Sequence, residues 1–202
     1  MEEAKVQFSP AEMELICNKD IILTKNRVIE KIKYLLQQLQ DSMLLYRKVN
    51  AAVLQNEVFD SNPKISRGEN YLGLPYLVLD YPRCFQQKNI FAIRTMFWWG
   101  NFYSTTLHMA GSFKDEYIAK TVRSYNLLTK GNYYIGINTE PWEHDFGSDN
   151  YKKISLLSRE EFINICEKQT HIKIATNITI RDAFVYKNLI KNWEEFVQIC
   201  FN

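Results

Sequence analysis

Residues 90–99 and 102–111 hold almost no charge between them and meet at Gly100-Asn101. Aromatic and β-branched runs on either side of a Gly-Asn step read as a β-hairpin. A two-residue turn is expected, because that step favours the positive backbone angles such a turn needs. Trp99 then faces Phe102 and Trp98 faces Tyr103. Side chains alternate along a strand, so one face is expected to carry Phe91, Ile93, Thr95, Phe97 and Trp99 with Phe102, Ser104, Thr106 and His108. The other carries Ala92, Arg94, Met96 and Trp98 with Tyr103, Thr105, Leu107 and Met109. Neither face is polar. Both must therefore be covered, by helices, a second subunit or a ligand.

The surrounding pattern supplies more strands and the helices to cover them. Strands are expected near 75–81, 132–138, 152–157 and, from the alternation in HIKIATNITI, 171–180. Ser9-Pro10-Ala11-Glu12 and Ser158-Arg159-Glu160-Glu161 are capping boxes that open helices. After Asn18 a long helix is expected to about Val53, its stripe running through Val28, Ile32, Leu35, Leu36, Leu39 and Met43. A helix at about 113–129 stops at Gly131, and Leu189, Trp193, Phe196, Val197 and Cys200 mark a terminal amphipathic helix. Residues 56–70 carry turn chemistry and read as a loop.

These elements predict an α+β fold with a mainly antiparallel sheet from the middle of the chain, covered by N-terminal and C-terminal helices. At 202 residues, 46% of them hydrophobic, the chain can bury one sizeable core. A single domain over 1–202 is expected, with a helical N-terminal part at about 9–55 packed on a sheet-rich part at about 70–202.

Composition bears mainly on what the chain does not address. A net charge of +2 is far from a nucleic-acid-binding balance, and Lys25, Arg27, Lys31 and Lys33 read as a solvated helix face diluted by Glu30. The acidic opening MEEAKVQFSP has no apolar leader, and no later run is long and uncharged enough to span a membrane, so a soluble cytoplasmic protein is expected. Cys17, Cys84, Cys166 and Cys200 are scattered, without zinc-site spacing, and read as free thiols. No cofactor motif is present.

Four groups of residues could carry chemistry. Arg94, in mid-strand, needs a carboxylate, an anionic ligand or a route to water, and Asp80 on the preceding strand is the favoured partner. His108, expected beside Thr95, Ser104 and Thr106, is either a hydrogen-bonded core histidine or part of a small polar pocket. Glu140, Glu143, His144, Asp145 and Asp149 follow a strand and could bind a divalent cation or act as acid and base. They match neither the EF-hand nor the H-E-x-x-H spacing, and an exposed acidic turn explains the same composition. In KISRGENYLGLPY, Arg67 and Tyr71 sit on a loop suited to binding, with Arg67, Arg83 and Arg94 around one anion as the sharper reading.

Taken together these features favour a non-enzymatic domain that binds a small molecule or a protein partner, with a homodimer through part of the aromatic sheet as one arrangement. The competing class is an enzyme, a metal-assisted hydrolase using Arg94 and His108 or the 140–149 loop.

Overall fold

The computed structural model describes residues 6–54 and 56–201. The expected end of the helical part at residue 55, the first five residues and Asn202 lie outside the described residues. Helices α1 (Pro10–Cys17) and α2 (Lys19–Val49) lead into β1 (Lys64–Tyr71), β2 (Leu74–Gln86), β3 (Asn89–Trp98) and β4 (Phe102–Ala110). Then follow α3 (Ser112–Arg123), α4 (Tyr125–Lys130), β5 (Tyr133–Gly136), β6 (Tyr151–Lys153), α5 (Arg159–Lys168), β7 (His171–Thr179) and α6 (Val185–Phe201). The seven strands form one sheet in the order β1-β2-β3-β4-β7-β5-β6, and every ladder is antiparallel. The fold is α+β, as the pattern of elements predicts. Among the described residues no helix is long and apolar enough to cross a membrane.

Both capping boxes form as their sequences dictate, Ser9 accepting from Glu12 N and Ser158 from Glu161 N. The stripe of α2 buries Ile29, Leu36, Leu39 and Met43, and that of α6 buries Leu189, Trp193, Phe196, Val197 and Cys200. Each such side chain contributes about 1.5–3 kcal/mol on burial. The two helices lie against one face of the sheet, where Leu77, Leu79, Phe91, Ile93, Phe97, Leu107 and Ile174 meet them in a single core. Trp193 joins the layers. Its ring stacks on Tyr81 at 6.2 Å, and its Nε1 donates to the Tyr81 carbonyl at 2.6 Å.

The hairpin between β3 and β4 departs from expectation by one residue. The last pair is Trp98 with Phe102, so the turn is Trp99-Gly100-Asn101, three residues rather than two. Asn101 N–H donates to Trp98 O at 3.1 Å, and Gly100 takes φ +76°, a value its missing Cβ permits. Trp99 N–H donates to Pro75 O at 3.0 Å, which holds that residue in the turn. A shift of one residue turns β4 over relative to β3. Arg94 now lies opposite Thr106 and Ala92 opposite His108, on one face, while Thr95 pairs with Thr105 on the helix face. Trp98 and Trp99 do belong to different layers, Trp98 with Val78 and Met96 and Trp99 against the helix-side core.

Strand β1 occupies residues read as loop. KISRGENY is polar because it is an edge strand, with none of its residues buried and paired only with β2, where charges discourage edge-to-edge association. Its turn, Leu72-Gly73, has φ +49° and +82°, the primed geometry that joins two-residue hairpins. The predicted helix at 113–129 breaks at Ser124 into α3 and α4, and the strand at 152–157 shortens to β6 followed by a 3-10 turn at Ile154–Leu156.

Because α2 shares the sheet's core, Leu39→Ala is expected to lower the midpoint of one cooperative thermal transition by about 2–5 kcal/mol of stability. Leu45→Ala, at an exposed position, should change it by less than about 0.5 kcal/mol. Two transitions by calorimetry, with only one of them moved by Leu39→Ala, would show that the helical part folds apart from the sheet.

Candidate functional site

Helices cover only one face of the sheet. Over the other lies the connection between β5 and β6, residues 137–150. Beneath it the register aligns two rows of side chains. Asp80, Arg94, Thr106 and Ala175 are opposite one another across β2, β3, β4 and β7, and Arg83, Ala92, His108 and Lys173 form the next row. The small side chain of Ala92, between larger neighbours, leaves a cavity of about 10 Å³ bordered by Phe85, Arg94, Thr106, His108, Trp142, His144 and Lys173. That is room for about one water-sized occupant.

Arg94 is held on three sides. Its Nε and Nη2 donate to the two carboxylate oxygens of Asp80 at 2.8 and 2.9 Å, a bidentate pair in which Asp80 is buried. Nη1 donates to His144 Nε2 at 3.1 Å. Arginine only donates, so His144 accepts through Nε2, which places its proton on Nδ1. Burial and the adjacent guanidinium hold His144 well below the ordinary histidine pKa. Trp142 lies 5.6 Å from the guanidinium carbon. Three of the five arginine N–H groups are engaged in this way, and two remain.

The covering loop is pinned by Tyr71 at the end of β1. Its hydroxyl accepts from the backbone N–H of His144 at 2.7 Å and of Asp145 at 2.9 Å, and donates to Glu143 Oε2 at 3.0 Å. Burial pushes the Tyr71 hydroxyl up to about 12. Asp145 accepts from Gly147 N–H at 2.9 Å and from the Asn150 side chain, and Ile137 N–H donates to Asn150 O at 2.8 Å. Glu143 and Asp145 thus serve the loop's own closure. Its tip carries Trp142, whose half-exposed ring lies 6.1 Å from the half-exposed Phe85. These two rings stand between the cavity and solvent.

Lys173 has no ion-pair partner of this kind. It is 2% exposed, its Nζ donates to the Glu143 carbonyl oxygen, and it lies 5.0 Å from the Tyr151 ring centroid. Among the described residues no carboxylate is within 4.0 Å of its ammonium. Burial, and next the Arg94 charge, bring its pKa down to about 8 against the weaker opposing pull of Glu143, Asp145 and Glu140 from beyond ion-pair distance. Beside it His108, 4% exposed, has no hydrogen-bond partner at Nε2. Burial first, then Lys173, His171 and Arg94, lower His108 to about 3. His171, 5.6 Å from His108 ring to ring, is lowered to about 4, again chiefly by burial. The cavity is lined by cations, neutral imidazoles and a hydroxyl, and by no carboxylate.

The structure brings together Arg94, His108 and Thr106 and adds His144 from the loop. Ser104 lies on the same face further along β4. Thr95, expected beside His108, is on the opposite face. Arg67 is on the β1 edge, paired with Glu69 at 2.5 Å, and Arg83 donates to Asn62 O at 2.9 Å, so neither joins Arg94. Glu140 and Asp149 are exposed, Glu143 and Asp145 bond to Tyr71 and the loop, and no three His, Cys, Asp or Glu side chains converge as metal ligands among the described residues. Larger clefts open elsewhere. One of about 590 Å³ beside β5 and α6 borders polar groups already paired, as in Tyr133 with Glu195 and Asn188 with Asp182.

Sequence reading misses Lys173, His171, Trp142 and Phe85. The signal for the first two is present in HIKIAT, where His171 and Lys173 alternate with Ile172 and Ile174, a basic face against an apolar one. Trp142 and Phe85 reach the site through loop and strand-end geometry, which leaves no periodic trace.

A histidine kept neutral in the fold but free to protonate when unfolded makes the unfolded state bind more protons. The stability held by His108 and His171 is therefore complete above their unfolded value of 6.5 and is lost as pH falls below it. Between pH 7 and 5 the loss is about 2 kcal/mol for His108 alone, to be read from urea unfolding, with His108→Asn reducing the slope. Separately, Asp80→Asn leaves Arg94 without its partner in a largely buried position and is expected to destabilise by about 3–5 kcal/mol. The double replacement Asp80→Asn with Arg94→Met should cost less than the sum of the two single changes.

A search of family models, curated proteins and solved structures finds no match to this chain, and the functional reading stands on the geometry of this buried basic cavity.

Proposed function

We propose that the chain is a binding domain for a small anion of the carboxylate or phosphate class, held on the polar face of the sheet by Lys173 and the two free N–H groups of Arg94. The observation that carries the reading is the buried ammonium of Lys173, which has no carboxylate within 4.0 Å among the described residues and lines a cavity that contains no acidic group. Asp80 already offsets Arg94. An anion supplies the missing counter-charge, and neutral His108 offers its unpartnered Nε2 as a further polar contact.

The size of the cavity limits how the ligand enters. About 10 Å³ takes at most one oxygen-sized atom, so a larger anion, chloride included, requires Trp142 and Phe85 to move aside. Both rings are more than 40% exposed, and turning Trp142 outward gives up its contacts with Arg94, His108 and Phe85. The hydrolase alternative has less support: His144 spends its Nε2 lone pair on Arg94, and the carboxylates nearest the cavity are bonded to Tyr71 and to the loop.

Thermal unfolding in a non-coordinating buffer with added chloride, acetate or phosphate tests this reading. An anion at a hundred times its dissociation constant stabilises by about 2.7 kcal/mol, a rise of roughly 5–10 °C for a chain of this length. Lys173→Met should abolish the rise and, by removing a buried charge, increase stability in the absence of anion. An anion response of equal size in Lys173→Met, or none in the wild-type chain, would overturn the proposal.

A further inference from the structure

The sheet face that carries the buried cavity continues into an open cleft. Two residues further along each strand, about 7 Å away, the register places Phe85, Ile90, Ala110 and His171 in the row beside Arg83, Ala92, His108 and Lys173. Alternation keeps both rows on the side opposite the helices, while Phe91, Met109 and Ile172 between them enter the helix-side core. Over the outer row lies a cleft of about 320 Å³, floored by Ile90 and Ala110 and bordered by Gly111, Pro141, Thr170 and His171. The exposed Gln87 and Lys88 complete its border, and no carboxylate lines it.

Trp142 stands between cleft and cavity. It follows Pro141 of the cleft and lines the cavity, its ring 5.3 Å from that of His108. In the other direction the face is shut. Beyond Arg94 the next row, Val78, Met96 and Ser104, is buried, and the loop is tied down where Tyr71 accepts from His144 N–H and Asp145 N–H. The part of a ligand that exceeds the cavity therefore has one way to extend, past Trp142 and into the cleft.

Charge selects the head group. Arg94 is offset by Asp80, burial keeps His108 and His144 neutral, and Lys173 is left with a single positive charge. A carboxylate carries one negative charge, whereas a phosphate monoester carries about 1.5–2 at pH 7 and leaves the excess unmatched. The apolar floor of the cleft takes an uncharged tail. We infer, resting on the anion site proposed above, that its ligand is a monocarboxylate with an apolar tail. The carboxylate meets Lys173 and the free N–H groups of Arg94, and the tail passes Trp142 to lie on Ile90 and Ala110.

Calorimetric titration of the full chain with acetate, butyrate and hexanoate tests the tail. A methylene moved from water to an apolar surface tightens binding about threefold to fourfold, so each added pair is expected to tighten it about tenfold. Lys173→Met should abolish binding of all three. Ala110→Phe, which fills the cleft floor, should leave acetate unchanged and reduce hexanoate to the affinity of acetate. In the wild-type chain with labelled isoleucine and alanine methyl groups, the terminal methyl of hexanoate should give nuclear Overhauser effects to Ile90 and Ala110. Lys173-dependent acetate binding with no gain along the series overturns the inference and leaves the anion site standing, as do Overhauser effects to other methyl groups only or a hexanoate affinity unmoved by Ala110→Phe. Butyl phosphate bound more tightly than hexanoate overturns the choice of a carboxylate. No binding of any of the three, or equal binding by Lys173→Met, overturns the anion site as well.

Discussion

The three-residue turn at Trp99-Gly100-Asn101 decides which side of the sheet carries charge. With one residue fewer, Arg94 and His108 would point to opposite faces, and a guanidinium or an imidazole would fall into the aliphatic core under α2 and α6. With the observed register Arg94 and His108 lie on the same side, in line with Asp80 on one flank and Lys173 on the other. The division of labour between the faces follows: one is sealed by helices, the other by a loop that can supply polar groups. A slip of one residue would bury the wrong set along the whole strand, which is why the register is so strongly specified.

Polar groups on that second face are compensated unequally. Asp80 and Arg94 satisfy each other across adjacent strands, and His144 accepts a further arginine N–H. Lys173 is paired only with a backbone carbonyl and an aromatic ring, although burial of an ammonium without a counter-ion is costly. A fold selected for stability alone would place an apolar side chain there. Burial of a cation without an ion-pair partner beside a cavity departs from what stability alone would favour, and it is this departure that supports the proposed anion site.

Much of the architecture is legible in the sequence because it rests on local rules. Both capping boxes, the stripes of α2 and α6 and the alternation of β7 are read within a few residues of their observed limits. What escapes depends on long-range or fine geometry. β1 is polar because it is an edge, and its Leu72-Gly73 turn holds a leucine at positive φ, a residue that sequence rules do not place there. Arg94 with Asp80 is foreseen as a pair, since neighbouring strands bring them within reach. The company of Arg94 and His108 is not, because the difference between a two-residue and a three-residue turn lies in where Trp99 N–H finds its partner, on a strand that precedes it by more than twenty residues. Tyr71 is recognised as a site residue, yet its role is to pin the loop carrying His144 rather than to face the cavity.

The central claim is that the sheet's polar face holds a buried cation awaiting a counter-charge. The most direct measurement is an NMR titration of the Lys173 Nζ and Cε resonances with selective lysine labelling, without and with added anion. The account predicts a midpoint near 8 in the absence of anion, moving upward as the anion occupies the cavity and stabilises the ammonium. A midpoint at the ordinary lysine value of 10.5, unmoved by any anion, would contradict it.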